Sequence, residues 1–318
     1  MKHRQIIAEA WNFTQQNKKM IVWYAFVPSF LSTVVGVCYV VYQYYSFISS
    51  ALFENWQESF TVVALKGIFD AFKEHIDSAI PLIIFGVILA ILYFFLPPIS
   101  EGAMIQLISR KKSGQDVRIR DGLKFGFFYF LPLFSYSLAS RTFDFVTLLG
   151  EGGFVIRNLG PEVFQTLLPV MIILLIFSII FMVLFVFAPY YIVIDDRHMT
   201  ESMAKSSVLV AKHIETAFMI SLFMLFIAMR ILVQIVFVLL VPLAVFMGFF
   251  YFAASILPSI GLIIGGVLGL AALLFASYLG AIIHVFTTTV WVFAFLDLTT
   301  TPEINARGEE VGDAGDDD

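Results

Sequence analysis

The sequence predicts an all-α fold: a polytopic helical membrane protein of six transmembrane helices, with amphipathic helices at the interfaces. Three observations carry this expectation. The composition is the first: of 318 residues, 60% are hydrophobic, 14% are charged and 36 are Phe, with a mean hydropathy of +0.91. A soluble domain is about half apolar and about a quarter charged. A chain this poor in charge cannot cover so much apolar surface in water. The composition therefore excludes a soluble globular protein, a disordered chain and a nucleic-acid binder. The second observation is a set of six apolar runs, each long enough for the ~20 residues that a helix needs to cross a bilayer. The third is the sorting of Lys and Arg between alternate connections.

Taken in order, the chain begins with an amphipathic helix over Arg4 to Asn17. Ile6, Ile7, Ala10, Trp11 and Thr14 share one face at helical spacing, and Glu9, Gln15 and Gln16 share the other. The first apolar run, Met20 to Tyr45, begins too far along and is too long for a cleavable signal, so a retained span is expected. The single cysteine, Cys38, lies within it and reads as a small apolar residue. The connection Ser46 to Ser78 places Val62, Leu65, Ile68, Phe69, Phe72 and Ile76 on one face, which predicts an interfacial helix on the outer side. The second run, Ile80 to Leu107, carries Phe95-Leu96-Pro97 near its end, where proline is expected to kink or break the helix.

Gly114 to Lys124 is short and weakly amphipathic. The third run, Phe125 to Leu149, contains Arg141 and Asp144 three residues apart, a spacing that puts them on one helical face as a pair near the outer headgroups. A glycine-bearing loop, Glu151 to Pro161, leads to the fourth run, Leu167 to Ile194, with Phe187-Ala188-Pro189 near its end. Before the fifth run, Met199, Met203, Ser207, Val210 and Ala211 oppose Glu201, Lys205 and Lys212. The fifth run, Ala217 to Phe250, holds Arg230 with Gln234 one turn on. A short uncharged turn around Ser255 and Pro258 leads to the sixth, Ile260 to Leu298. This last run reads as one long helix rather than two, because no polar turn interrupts it, with a bend expected near Thr287, Thr288 and Thr289. Its glycines, Gly261, Gly265 and Gly269, continue into Ala272, Ala276 and Gly280 as a small-residue packing stripe.

Fourteen Lys and Arg fall on the side of the N-terminus, whereas Lys66, Lys73 and Arg157 fall on the other and Arg141 and Arg230 within runs. The bias predicts that both termini are cytoplasmic. The net charge of −5 comes from the tail: Glu303 to Asp318 holds seven acids against Arg307. Residues 1–300 thus form the transmembrane domain and 301–318 an acidic, disordered cytoplasmic tail. Within the domain, a rhythm of interfacial segment, outgoing span and returning span divides the chain into three repeat-like units, 1–110, 111–196 and 197–300.

Ile6-Ile7-Ala8-Glu9-Ala10-Trp11-Asn12-Phe13-Thr14 feeding a first span, and Pro189 to Asp196 followed by Glu201-Ser202-Met203-Ala204-Lys205-Ser206, resemble the uncharacterised bacterial six-span proteins grouped with the membrane domain of glycerophosphodiester phosphodiesterases. The resemblance implies a membrane module of unassigned activity. The phosphodiesterase itself has no counterpart in this chain, so its chemistry is not carried over.

Charges within spans are costly and default to a functional reading. The candidate polar site is therefore Arg230, Gln234, Arg141, Asp144 and His284. Arg230 reads either as a contact for an anionic substrate or lipid headgroup, or as a buried partner of Asp144. His284 reads as a proton relay or as a helix-to-helix hydrogen bond. No HExxH, GxSxG or phosphate-loop motif occurs, and no His or acids stand at ligand spacing, so no catalytic residue, metal or cofactor is expected. The expected function is a non-enzymatic membrane module that is structural, lipid-interacting or involved in assembly, with membrane lipids as partners. The alternative is a small-solute or lipid transporter with its site near Arg230, Asp144 and His284.

Overall fold

The computed structural model describes residues 2–49, 60–74, 76–227, 229 and 258–313, and every regular element among them is helical. In chain order these are α1 (Lys2–Gln16), the short α2 (Lys18–Met20), a π-helical turn (Ile21–Ala25), α3 (Phe26–Ile48), α4 (Phe60–Glu74) and α5 (Ile76–Lys112). A 3-10 turn (Ile119–Asp121) precedes α6 (Gly122–Phe128), α7 (Phe130–Thr142), α8 (Phe145–Asn158) and α9 (Pro161–Leu184). Then come α10 (Ala188–Ile194), α11 (Met199–Lys212), α12 (Ile214–Ile227) and α13 (Pro258–Asp313).

Among the described residues, four stretches are long and apolar enough to cross a bilayer: Lys18–Ile48, Ile83–Lys112, Pro161–Ile194 and Gly266–Thr299. A fifth arises if α11 and α12, bent by 98° at their junction, count as one broken span. The remainder of the fifth apolar run, with Arg230 and Gln234, lies outside the described residues. The third run is not one long helix. It is divided among α6, α7 and α8, and α7 has only 13 residues. At 1.5 Å per residue that gives ~20 Å, short of the ~30 Å hydrocarbon core. The break has a local cause. Asp144 leaves the helical region at ψ 128 and accepts the Thr147 N–H at 2.9 Å, so it starts α8 as an N-cap.

Two proline expectations resolve differently. The helix α5 runs unbroken through Pro97 and Pro98, as membrane helices can when their neighbours supply the support that proline removes. The fourth run does break, with α9 ending at Leu184 and α10 starting at Ala188, Pro189 lying in its first turn. The last run is a single helix, α13. Its described backbone stays helical to Asp313, into the segment read as disordered, where Ala306, Arg307, Glu309 and Glu310 are all good helix formers.

Contacts divide the chain into two units that cut across the three repeat-like segments. The first comprises Met1–Phe30, Pro98–Leu133 and Leu184–Asp318. Its core contains one continuous buried run on α5 (Ala103, Met104, Ile105, Leu107, Ile108) and nearly all of α10. Phe187 lies edge-on to Trp291, with centroids 5.6 Å apart, and Tyr191 lies edge-on to Phe295 at 4.8 Å. The helices approach closely through glycine. A Cβ on Gly122 would come within 2.7 Å of the Tyr24 hydroxyl oxygen, and one on Gly126 would overlap the Ile99 carbonyl oxygen.

The second unit comprises Leu31–Pro97 and Phe134–Val183. Phe143 packs edge-on against Phe177 at 5.0 Å, and Gly152 leaves room for the Met171 side chain. A hydrogen-bond chain runs from Tyr42 to Thr61 Oγ1 and from Thr61 to Asn158 Oδ1, each step 3.0 Å. It ties α4, the helix that the Val62-to-Ile76 periodicity predicts, to α3 and α8.

Gly126→Ala is expected to force α6 off α5 and lower stability by about 1–3 kcal/mol, since overpacking against backbone has no soft partner to yield. Gly67→Ala, whose Cβ meets nothing within 4 Å, is expected to leave stability unchanged or slightly raised. Thermal midpoints of the two variants in one detergent check the contrast. Equal midpoints would count against the α5–α6 contact.

Candidate functional site

The face of α1 that holds Ala10 and Thr14 is fully buried. The Thr14 hydroxyl donates to the Ala10 carbonyl at 2.8 Å, so this polar residue brings no unpaired group into the contact. Small side chains on that stripe let α1 lie close to α13. Aromatic pairs flank it: Trp11 meets Phe286 edge-on at 5.5 Å, and Phe13 meets Phe293 at 5.7 Å. The basic last turn of α5 secures the same helix. Lys111 Nζ donates to Asn17 Oδ1 at 2.5 Å, and Lys112 Nζ pairs with Glu9 at 2.6 Å while lying 4.3 Å from the Phe293 ring centre. The Lys112–Glu9 pair is largely exposed, so most of its strength is lost to solvent screening.

Two depressions border α1, one on each side of the buried stripe. The first, of about 530 Å³, is lined by Arg4, Ile7, Ala8 and Trp11 of α1, Phe223 and Ile227 of α12, and Ile283 and Phe286 of α13. Among the described lining residues all but Arg4 are apolar, and none is an acid. The second, of about 390 Å³, is of mixed polarity. Gln5, Glu9, Lys112 and Asp297 line it alongside Ile6, Phe293 and Leu296.

Two polar clusters in the same unit hold backbone. Ser206 of α11 inserts at the break between α9 and α10. Its hydroxyl donates to the Leu184 carbonyl at 2.8 Å and accepts the Phe187 N–H at 3.1 Å. Gln106, buried on α5, donates through Nε2 to the Val193 carbonyl and to the Tyr129 hydroxyl, and accepts from Arg110 Nε at 2.9 Å. The Arg110 guanidinium then lies 4.3 Å from the Phe125 ring centre.

Arg230 and Gln234 lie outside the described residues. Arg141 and Asp144 fall in one unit and His284 in the other. The expected Arg141–Asp144 pair does not form. Among the described residues, Asp144 accepts from Thr147 N and Oγ1, and Arg141 lies over the rings of Tyr93 and Phe94 at 5.4 and 5.7 Å. The helix break between them removes the shared face that the spacing assumed. The carbonyl of His284 accepts from Thr288 Oγ1 at 2.9 Å, and Thr289 donates likewise to Val285 at 2.7 Å. These back-bonds leave the threonine hydroxyls within α13 rather than facing a ligand. No group of three or more potential metal ligands occurs among the described residues. Arg4, Gln106 and Ser206 escaped the sequence reading. Gln106 carried a usable signal, as a lone amide between Ile105 and Leu107 within a run of buried residues.

Ser206→Ala leaves the Leu184 carbonyl and the Phe187 N–H without their partner, and is expected to cost about 1–3 kcal/mol. Ser202, one helical turn before it, is buried with its hydroxyl unpartnered among the described residues, so Ser202→Ala is expected to be neutral or stabilising. Unfolding midpoints of the two variants check the pair, and the reverse order would contradict the bridging role.

No family model, no curated protein and no solved structure matches the chain.

Proposed function

We propose that the chain is a six-span protein of the bacterial plasma membrane with both termini cytoplasmic, and that it works as a non-enzymatic, lipid-interacting or assembly module. The carrying observation is the chemistry of the exposed surface. Large apolar side chains stand in the open on every long helix, among them Val40 (66% exposed), Ile84 (55%), Ile173 (67%) and Val267 (63%). In water such a surface would aggregate, whereas in a bilayer it is simply the lipid face. The Lys and Arg asymmetry supports the orientation. In this reading α6 to α8 make the third crossing with bends, and α12 begins the fifth. The likeness to six-span proteins grouped with the glycerophosphodiester phosphodiesterase membrane domain belongs to the same proposal.

The transporter reading draws on one observation, the two broken helical stretches at Phe185–Phe187 and at the α11–α12 bend. Broken helices in transporters turn freed backbone groups toward a substrate. Here Ser206 takes up the Leu184 carbonyl and the Phe187 N–H, which favours the module.

Site-directed labelling tests the topology. With Cys38→Ala as background, Ser113→Cys is expected to react with a membrane-impermeant maleimide only after cells are permeabilised, and Lys73→Cys in intact cells. Reaction of both from the same side would overturn the arrangement.

A further inference from the structure

The apolar groove beside α1 has the features of a binding site. Its ~530 Å³ lies within the range of about 300–1,000 Å³ typical of small-molecule sites. Arg4, Ile7, Ala8 and Trp11 recur at helical spacing on one stripe of α1. That stripe sets a guanidinium at one end of the groove and an indole, 44% exposed, about 10 Å along at the other. Among the described lining residues Arg4 is the charged group and none is an acid. Glu9, the acid of α1, lines the other depression and pairs with Lys112. Among the described residues Arg4 makes no ion pair. An apolar slot capped by one cation complements a molecule with a long hydrocarbon portion and a single anionic end. Guanidinium suits phosphate in particular, because it offers two parallel donors.

We propose that this groove is an anionic-phospholipid site. An acyl chain lies on Ile7, Ala8, Trp11, Phe223, Ile227, Ile283 and Phe286, and the headgroup phosphate sits on Arg4. The inference rests on the membrane reading above and narrows it to one lipid class and one helix. It also gives α1 a role beyond packing. The helix supplies four of the eight described lining residues, among them the charged Arg4.

Native mass spectrometry of the delipidated full chain in detergent tests the site, with phosphatidylglycerol, phosphatidylcholine or inorganic phosphate as the added probe. The wild-type chain is expected to retain one phosphatidylglycerol about tenfold more tightly than phosphatidylcholine, the scale of one charge-assisted contact. Arg4→Gln should remove that preference and Arg4→Lys should keep most of it. Ala8→Trp, which fills the groove, should weaken both lipids alike. Lys19→Gln, an exposed cation outside the groove, should change nothing. An unchanged preference in Arg4→Gln, or unchanged lipid retention in Ala8→Trp, would overturn the site. So would inorganic phosphate that displaces lipid at equal concentration. A disulfide forming readily between Ala8→Cys and Val233→Cys would also overturn it, by giving the groove to the chain's own fifth run. If neither lipid binds or stabilises the wild-type chain, the lipid-interacting reading itself fails. Lipid binding that ignores Arg4 removes only the site.

Discussion

A hydrogen bond left open inside a membrane chain has no water to close it, and the first unit is arranged around one such opening. The fourth apolar run stops being helical at Phe185–Phe187, which frees backbone groups on both sides. Ser206 supplies a donor to one side and an acceptor to the other from a separate helix. With that break closed, α10 is buried along almost its whole length. Its end is closed in turn by Gln106, which reaches the Val193 carbonyl from α5 and passes the polar chain on to Arg110. Two neutral side chains thus join α11, α10 and α5 without the desolvation cost that a buried ion pair in their place would bring.

The placement of proline follows the same logic. The chain passes between the two units at Phe30–Leu31, Pro97–Pro98, Leu133–Phe134 and Val183–Leu184. Each passage lies within a few residues of Pro28, Pro97 and Pro98, Pro132, or the break before Pro189. Proline removes an N–H and weakens the helix locally. Proline is not confined to these passages, since Pro169 stands within α9 two residues before Met171, the residue that Gly152 accommodates.

Features written in local periodicity were legible from the sequence. The amphipathic stripe of α1, the helix α4, α11 and the single long α13 all follow from apolar spacing over one segment. The third run shows where such reading stops. Hydropathy sees Phe125 to Leu149 as continuous, because Asp144 is one residue in 25. Its effect comes from backbone geometry, since an Asp three residues before Thr147 offers a cap that competes with continuing the helix. Reading Asp144 as a charge gave it Arg141 as a partner. Reading it as a cap would have found the break. Ser206 and Gln106 were hidden for another reason. Their partners lie 22 and 87 residues away, and no periodicity within a segment encodes a contact across that separation.

The fate of these polar groups bears directly on function. A transport pathway needs polar atoms left facing a shared space. Asp144 spends its carboxylate on a helix start, Arg141 lies against two aromatic faces, and the threonines after His284 bond back to their own helix. Ser206 and Gln106 are occupied with backbone. Each of these groups is accounted for by the structure it maintains. Arg4 differs. It stands at the rim of an apolar groove, with the acid of its own helix turned to another partner. A lone guanidinium next to hydrocarbon is stable where an anion and an acyl chain arrive together. The bilayer supplies both in one molecule, so lipid recognition at α1 requires nothing beyond the membrane that the rest of the chain already demands.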